Sequence, residues 1–354
     1  IGITGSVGKT TTKEVTARVL ARSYHVLRNP GSFNNEIGLP VTLLTADSAC
    51  ERLVLEMGMY VPGDIRFLAG IARPHVGVMT NVEPVHAERA GDLAAIARGK
   101  RELVEALPQA PEGLAILNYD DDRVRAMAEH TQARPFFYGL SPEADLWADE
   151  VQSLGLKGIR ARFHHQGATL WVEAPLLGRH NVYTMLRAAA VACNEGLDGS
   201  EIVEGLSAPG EQLRLVTVSG PNDVLVLDDT YNSSPPSAIA ALELLDDLHG
   251  RKVAVLGDML ELGDYEEAGH DEVGCRAADV VDVLVAVGQL GSLIGEGARQ
   301  CGLDPAHIYF APDGERAIEV LHRMMRAGDV VLVKGSRAVG MDEIVDALRE
   351  DDDA

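Results

Sequence analysis

Short apolar runs alternate with longer amphipathic segments along most of the chain. Residues 52–57, 76–82 and 114–117 are nearly continuous apolar runs of the length that buried strands have. Residues 62–72 and 92–107 lie between these runs and carry apolar positions at the helical period. Strands that alternate with helices in this way predict an α/β fold built on a mostly parallel sheet.

This pattern changes between residues 145 and 175. The runs IRARF (159–163) and TLWVEA (169–174) alternate polar and apolar positions, and glycines separate them from their neighbours. Alternation of this kind predicts antiparallel hairpins appended to the parallel sheet. A long helix with an alanine-rich face is then predicted over residues 180–195.

A turn-rich stretch, SAPG at residues 207–210, marks a boundary between two domains. Beyond it, apolar runs that are each followed by a helical segment predict a second, Rossmann-like, doubly wound domain. These runs cover residues 223–227, 252–256, 281–287 and 329–333. We therefore expect a central domain over residues 1–208, with a sheet of the P-loop ATPase type, and a C-terminal domain over residues 209–354. Because Ile1 lies within a predicted strand, we also expect an N-terminal piece before it.

Composition narrows the class of protein. The 354 residues include 31 basic and 54 acidic side chains, a formal net charge of −23, and no basic stripe that could neutralise nucleic-acid phosphates. No apolar run is long enough to insert into a membrane. The four cysteines, Cys50, Cys193, Cys275 and Cys301, form no CxxC pair. We expect them to be buried free thiols in a cytoplasmic monomer, in preference to a disulfide or a zinc site.

The strongest chemical signal is TGSVGKTTT at residues 4–12, between a predicted strand and a predicted helix. A loop of this kind holds phosphates with its backbone N–H groups, and the helix N-terminus adds a favourable field. Lys9 is expected to reach the β- and γ-phosphates, and Thr10 to ligate Mg²⁺. Ile3 occupies the first glycine position of the strict GxxxxGK[ST] pattern, so an ordinary glycine turn is the alternative. The candidate ATP-binding residues of the loop are Gly5, Ser6, Val7, Gly8, Lys9, Thr10 and Thr11.

Three further residues of the first domain could carry chemistry. Glu56 ends a buried strand, where α/β sheets place their ligand sites, and is a candidate metal ligand or else a surface carboxylate. His86 follows the next strand and is a candidate for the same site or a structural histidine. Lys100 lies between Arg98 and Arg101, and the local sequence indicates a solvated basic helix face.

Polar residues also follow strands and turns later in the chain. Asn181 precedes the long helix and either contacts an adenine edge or caps that helix. Asp228 and Asp229 end a strand of the second domain and are candidates for ribose hydroxyls or a metal. Lys334 and Arg337 lie at the end of the last strand, before a helix, where paired cations suit a carboxylate or phosphate, although two solvated loop cations are the alternative.

These motifs resemble the Mur ligase superfamily, and the resemblance extends over essentially the whole chain. The segments that carry it are TGSVGKTTTKE (4–14), GSFNNEIGLP (31–40), LEMGM (55–59), GRHNVY (178–183), DDTYNSSP (228–235), LGDMLELG (256–263) and VKGSRAVGMDEIV (333–345). The resemblance implies a central ATP-binding domain and a C-terminal domain that carries the incoming amino substrate. The superfamily's N-terminal UDP-binding domain has no counterpart in these residues, which agrees with the expectation at Ile1.

The implied activity is that of an ATP-dependent amide ligase of peptidoglycan precursor synthesis. The segments NNEIGLP, GDMLELG and KGSR resemble the branch that joins D-Ala-D-Ala to the carboxylate of UDP-MurNAc-tripeptide through an acyl phosphate, with ATP and Mg²⁺ as cofactors. Two alternatives stay open. One is another ligase of the superfamily, such as the diaminopimelate- or lysine-adding enzyme or folylpolyglutamate synthase, and the other is a nucleotide-binding module without catalysis.

The resemblance also implies roles for individual residues. Lys9 corresponds to the phosphate-binding lysine, and Glu56 and His86 correspond to metal ligands. Lys100 corresponds to a lysine that is carbamylated in several relatives, which reverses the expectation from its local sequence. Catalytic roles are therefore expected for Lys9, Lys100 and His86.

The remaining assignments concern the nucleotide and the substrates. Asn181 corresponds to an adenine contact, Asp229 to a ribose contact, and Arg214 to the arginine that opens the C-terminal domain. Relatives carry a second asparagine three residues after Asn181, where this chain has Thr184. The expected substrate residues are Asn34, Asn35, Tyr231, Asn232, Lys334, Ser336 and Arg337.

Overall fold

The computed structural model describes residues 1–85, 87–210 and 215–349. The chain divides into two compact units, Ile1–Glu211 and Gln212–Ala354. Each unit is an α/β structure with its own sheet and core, and each is described by itself.

The first unit contains nine strands and eight α-helices among its described residues. The strands are β1 (Gly2–Thr4), β2 (Val26–Arg28), β3 (Arg52–Glu56), β4 (Val76–Met79), β5 (Leu114–Asn118), β6 (Arg134–Gly139), β7 (Leu146–Ser153), β8 (Ile159–His165) and β9 (Ala168–Ala174). The helices are α1 (Lys9–Leu20), α2 (Gly38–Leu44), α3 (Asp64–Ala72), α4 (Ala87–Ala90), α5 (Leu93–Glu105), α6 (Asp122–Arg125), α7 (Val182–Asn194) and α8 (Gly199–Ser207).

One sheet holds all nine strands in the order β2-β3-β1-β4-β5-β6-β7-β8-β9. Strands β1 to β7 pair in parallel, and β7, β8 and β9 form an antiparallel meander. The predicted parallel sheet with appended hairpins is therefore confirmed. Strand β1 lies between β3 and β4, so the residues that follow these three strands meet at one edge of the sheet.

The core of this unit forms where α1 and α7 pack on the central strands. Ile3, Val54 and Val78 are fully buried on neighbouring strands. The alanines of α7 are also buried, and their small side chains let the helix approach closely. The apolar run 76–82 extends beyond β4, which ends at Met79, because Thr80 and Asn81 turn away to contact the loop after β1.

The second unit contains a six-stranded sheet in the order β10-β11-β15-β12-β13-β14. Its strands are β10 (Val216–Gly220), β11 (Val224–Asp229), β12 (Lys252–Gly257), β13 (Val283–Val287), β14 (Ile308–Ala311) and β15 (Val330–Lys334). Its helices are α9 (Pro235–Asp247), α10 (Glu266–Val280), α11 (Gly291–Gln300), α12 (Gly314–Met324) and α13 (Asp342–Leu348). All pairs are parallel except β10 with β11, as a doubly wound sheet with one antiparallel edge strand requires.

Valine-rich strands build the core of the second unit. The strand positions of β13 and β15 are buried on both faces, which explains their continuous apolar runs. In β15 the run ends on Lys334, which pairs in register with Asp229 of β11. The carboxyl ends of these two strands therefore bring a cation and a carboxylate together.

The expectation of four free thiols is wrong for two of the cysteines. Cys275 of α10 and Cys301, directly after α11, form a disulfide, while Cys50 and Cys193 are free and half-buried. The two helices pack side by side, which brings together cysteines that are 26 residues apart in sequence. Spacing alone did not show this pairing. Among the described residues, no helix is long and apolar enough to cross a membrane.

The disulfide predicts a specific labelling pattern. Iodoacetamide added to the denatured, unreduced protein is expected to modify Cys50 and Cys193 only, and all four cysteines after reduction, as intact mass measures. Reduction is also expected to lower the free energy of unfolding by about 3 kcal/mol, because it releases a cross-linked loop. Four modified cysteines without a reductant would contradict the assignment.

Candidate functional site

The loop between β1 and α1 approaches β4 so closely that it has no room for a side chain at Gly5. A Cβ atom at this position would lie 1.8 Å from Oγ1 of Thr80, and the Gly5 φ of +144° is rare for other residues. Gly8 has a φ of +82° and forms the left-handed step into α1. Both glycines of the motif are therefore required by the backbone path.

Hydrogen bonds fix this loop to the segment after β4. Asn81 accepts from Ser6 N through its carbonyl oxygen at 3.0 Å and from Val7 N through Oδ1 at 2.9 Å. The Ser6 hydroxyl donates to the Glu83 carbonyl and accepts from Glu83 N, each at 2.9 Å. The loop conformation is thus set by tertiary contacts as well as by its own sequence.

Lys9 places its ammonium within the loop. Its Nζ donates to the carbonyl oxygens of Gly5 and Ser6, both at 2.9 Å. Thr10 and Thr11 lie half-buried in the first turn of α1, where the helix N-terminus carries partial positive charge. The loop at residues 5–8, hereafter the phosphate loop, forms a site suited to a phosphate group together with Lys9 and the helix end.

Glu56 ends β3 beside this loop and is 2% exposed. One carboxylate oxygen, Oε1, accepts from Asn34 Nδ2 at 2.7 Å. The other, Oε2, is buried and has no hydrogen-bond partner among the residues that the structure describes. Because an unpartnered buried carboxylate oxygen is costly, the donor set at Glu56 fits a cation such as Mg²⁺.

The asparagines of the GSFNNEIGLP segment have separate local roles. Asn34 holds Glu56, and its carbonyl oxygen accepts from Gly58 N at 2.8 Å. Asn35 is exposed, and its Oδ1 accepts from Gly38 N at 2.9 Å at the start of α2. Asn34 thus contacts the buried Glu56 carboxylate, while Asn35 bonds to the first residue of α2.

Lys100 is buried, in contrast to the solvated face that its neighbours in sequence predict. Its side chain on α5 is 4% exposed, whereas that of Arg98 is exposed. Burial lowers the pKa of Lys100 well below its ordinary value, and repulsion by the Lys9 ammonium lowers that pKa further. The local expectation was therefore wrong, and Lys100 lies within electrostatic reach of the phosphate loop.

Asn181 lies in a short turn directly before α7. Its Nδ2 donates to the Leu177 carbonyl at 2.7 Å, and its Oδ1 accepts from the Thr184 hydroxyl at 3.1 Å. The sequence analysis did not identify Arg187, which is buried next to Gly8. The only signal was a cation within the alanine-rich run of α7. His86 and Arg214 lie outside the described residues.

A second polar cluster lies at the carboxyl ends of β11 and β15. Lys334 is 2% exposed, and its Nζ donates to Asp229 Oδ2 at 2.5 Å and to the Asn232 carbonyl at 2.9 Å. Lys334 is therefore the cation of a buried ion pair, and the alternative of a solvated loop lysine is wrong.

The rest of this cluster is closer to the surface. The Arg337 guanidinium is exposed and lies 5.3 Å from the centroid of the Tyr231 ring. Ser336 is buried, and its hydroxyl accepts from Leu260 N at 2.9 Å. Asp228 bonds locally to Thr230 through Oδ1. The cluster thus combines a buried ion pair with an accessible cation.

Two family models match this chain. The Mur ligase middle domain matches residues 3–192, and the Mur ligase, glutamate ligase domain, matches residues 213–337. The matched stretches contain the phosphate loop in one case and the cluster around Lys334 in the other.

Individual relatives extend the match to nearly the whole chain. The UDP-N-acetylmuramoyl-tripeptide–D-alanyl-D-alanine ligase of Mycobacterium tuberculosis is 39% identical over 376 residues, covering 99% of this chain and 73% of the relative. The crystal structure of MurF from Acinetobacter baumannii is 30% identical with a TM-score of 0.89, covering 98% of this chain and 75% of that one. MurF from Thermotoga maritima, in complex with ADP, is 29% identical with a TM-score of 0.83, over 98% and 78% of the two chains.

Burial of Lys100 predicts that this lysine destabilises the fold at neutral pH. In bicarbonate-free buffer at pH 7, Lys100→Met is expected to raise the free energy of unfolding by roughly 1–3 kcal/mol. The folded-state pKa lies below the ordinary 10.5, so the penalty is complete below the folded-state pKa and disappears as the pH rises to 10.5. The gain in the free energy of unfolding of Lys100→Met over wild type, measured by urea unfolding, should therefore become smaller from pH 7 to about pH 9.5.

The exposed Lys157 provides the matched control. Lys157→Met removes the same charge and is expected to change the stability by less than about 0.5 kcal/mol. A Lys100→Met protein that is no more stable than wild type at pH 7 would contradict the prediction.

Proposed function

Since this chain belongs to the Mur ligase family, we propose that it joins D-Ala-D-Ala to UDP-MurNAc-tripeptide at the expense of ATP. The curated relatives that match it over 98–99% of its length at 33–39% identity carry this ligase name. The observation in this chain that carries the proposal is the buried Glu56 carboxylate with a free oxygen beside a phosphate loop.

The reaction needs an activated carboxylate. A carboxylate is a poor electrophile, so its oxygen first takes the γ-phosphate of ATP to give an acyl phosphate and ADP. The amine of D-Ala-D-Ala then attacks the acyl carbon and loses a proton, and the tetrahedral intermediate expels inorganic phosphate to leave the amide. The enzyme contributes mainly by positioning the groups and stabilising charge around the γ-phosphate.

The phosphate loop and Lys9 supply the positive groups for this step. We propose that the loop N–H groups and the N-terminus of α1 bind the phosphates of ATP. Lys9 would exchange its bonds to the Gly5 and Ser6 carbonyls for contacts with the β- and γ-phosphates. These contacts strengthen as negative charge develops on the transferred group.

Four residues are proposed to hold Mg²⁺: Thr10, Glu56, His86 and Lys100. When bound, the ion neutralises charge on the phosphates. Lys100 would act as a carbamate, formed when a neutral amine attacks CO₂ with loss of a proton. Its lowered pKa supports this role, because a larger share of the amine is neutral. Glu56 supports it through the unpartnered Oε2.

The remaining assignments are proposals of the same kind. Asn181, Asp229 and Arg214 are assigned to the adenosine part of ATP. Asn34, Asn35, Tyr231, Asn232, Lys334, Ser336 and Arg337 are assigned to the peptide substrates. The exposed Arg337 guanidinium suits the free carboxylate of D-Ala-D-Ala. Because the reaction consumes ATP, we also propose a cytoplasmic location, and the monomeric state stays a prediction.

Substrate-dependent phosphate release tests this proposal. With ATP, Mg²⁺ and UDP-MurNAc-tripeptide, the purified protein is expected to release phosphate when D-Ala-D-Ala is added, and not when diaminopimelate, lysine or glutamate is added. Release with one of the other amino acids would instead assign the chain to another ligase of the family. Nucleotide binding without release in every mixture would favour a non-catalytic module.

Glu56 should control the response to Mg²⁺. We expect Glu56→Gln to raise the Mg²⁺ concentration for half-maximal phosphate release about 10- to 100-fold, because an amide is a weaker ligand than a carboxylate. Glu51→Gln is the control, since Glu51 is exposed and directly precedes β3, at the end of the strand opposite to Glu56. An unchanged Mg²⁺ requirement in Glu56→Gln would remove Glu56 from the metal site.

A further inference from the structure

A buried arginine lies against the phosphate loop. Arg187 belongs to α7, where it interrupts a buried face that is otherwise rich in alanine, and it is only 5% exposed. A Cβ atom at Gly8 would lie 3.2 Å from Arg187 Nη2. The guanidinium therefore fills the space beside Gly8, the residue immediately before Lys9.

The partners of Arg187 in the chain are neutral. Nη2 donates to the Thr184 hydroxyl at 3.0 Å, Nη1 donates to the Tyr138 hydroxyl at 3.4 Å, and Nε is buried with no partner. Within the described parts of the chain, no carboxylate forms an ion pair with this guanidinium. Among the residues that the structure describes, the cation is thus buried with incomplete hydrogen bonding and without a carboxylate counter-ion.

The nearby carboxylates are engaged elsewhere. Asp120 accepts from the Tyr183 hydroxyl at 3.0 Å and from Leu140 N at 2.7 Å. Asp121 accepts from Val82 N at 2.8 Å and caps α6. Neither carboxylate neutralises Arg187 by direct contact.

A buried charge of this kind is costly unless an anion compensates it. The loop next to Arg187 is built to receive phosphates, which carry several negative charges. We propose that Arg187 is a further cation of the nucleotide site, a positioning residue whose charge acts on the bound phosphates across Gly8. This inference rests on the ATP binding that is part of the proposed function.

Thr184 links this cation to the nucleotide contact proposed for Asn181. Its hydroxyl accepts from Arg187 and donates to Asn181 Oδ1, so one side of α7 carries the chain Asn181–Thr184–Arg187. A hydroxyl can accept from the arginine and donate to Asn181 at once, which explains why threonine suits this chain.

Nucleotide affinity measured by calorimetry tests the role of Arg187. For Arg187→Gln, we expect the dissociation constant to rise about 10- to 100-fold for ATP, less for ADP, and by less than about twofold for AMP, because the effect follows phosphate charge. The ATP affinity of the variant should also depend less on salt concentration than that of wild type. Arg187→Lys keeps the charge and should bind ATP within about threefold of wild type.

Arg18→Gln is the matched control. Arg18 is half-buried near the C-terminal end of α1, where it donates to the carbonyls of Gly205 and Leu206. Arg18→Gln removes one positive charge, as Arg187→Gln does. The charge of Arg18 is separated from the phosphate loop by the length of α1 and is largely screened by salt, so ATP affinity should not change.

The remaining outcomes separate a failure of this inference from a failure of the proposed function. An unchanged ATP affinity in Arg187→Gln, or an equal loss for ATP, ADP and AMP, would overturn the inference and leave the proposed function intact. If Arg187→Gln does not fold, the Arg187→Lys protein provides the test. A folded Arg187→Lys protein that no longer prefers ATP over AMP, as wild type is expected to do, would also overturn the inference. A wild-type protein that binds no nucleotide would contradict the proposed function and the inference together.

Discussion

The close approach of the backbone at Gly5 to Thr80 is the constraint on which the candidate site depends. Because a Cβ atom at Gly5 would meet Thr80 Oγ1 at 1.8 Å, the loop can lie flat against the end of β4 only with glycine there. In that position Asn81 can accept from two loop N–H groups. The same placement orients Lys9 and starts α1, while the pairing of β1 with β3 brings Glu56 to the loop.

The charge around the phosphate loop is opposite in sign to the net charge of the chain. The chain is strongly acidic, yet the surroundings of the phosphate loop hold three basic side chains that are at least partly buried, Lys9, Lys100 and Arg187. Burial lowers the pKa of Lys100, and repulsion by the Lys9 ammonium lowers that pKa further. A group of buried basic side chains of this kind suits an anionic ligand, because nearby negative charge offsets the cost of burying positive charge. The net charge of −23 therefore says little about what the site binds.

Predictions from periodicity succeeded where one face or both faces of an element are buried. The strands around residues 52–57 and 114–117 and the helix over 180–195 formed because their apolar patterns match the sheet and its covering helices. Strand β2 has only three residues, and β6 contains Pro135, so neither pattern was distinct. The pairing of Cys275 with Cys301 also escaped prediction, because it depends on how α10 and α11 pack.

The sequence by itself determined the α/β class, the phosphate loop and the resemblance to the Mur ligases, because glycine spacing and apolar periodicity are local properties. Only the tertiary structure decided the state of the individual charged side chains. Lys100 has exposed Arg98 as a neighbour in sequence but is itself buried, and Lys334 is the cation of a buried ion pair with Asp229. Solvation and charge pairing depend on residues that are distant in the chain, so no local pattern contains them.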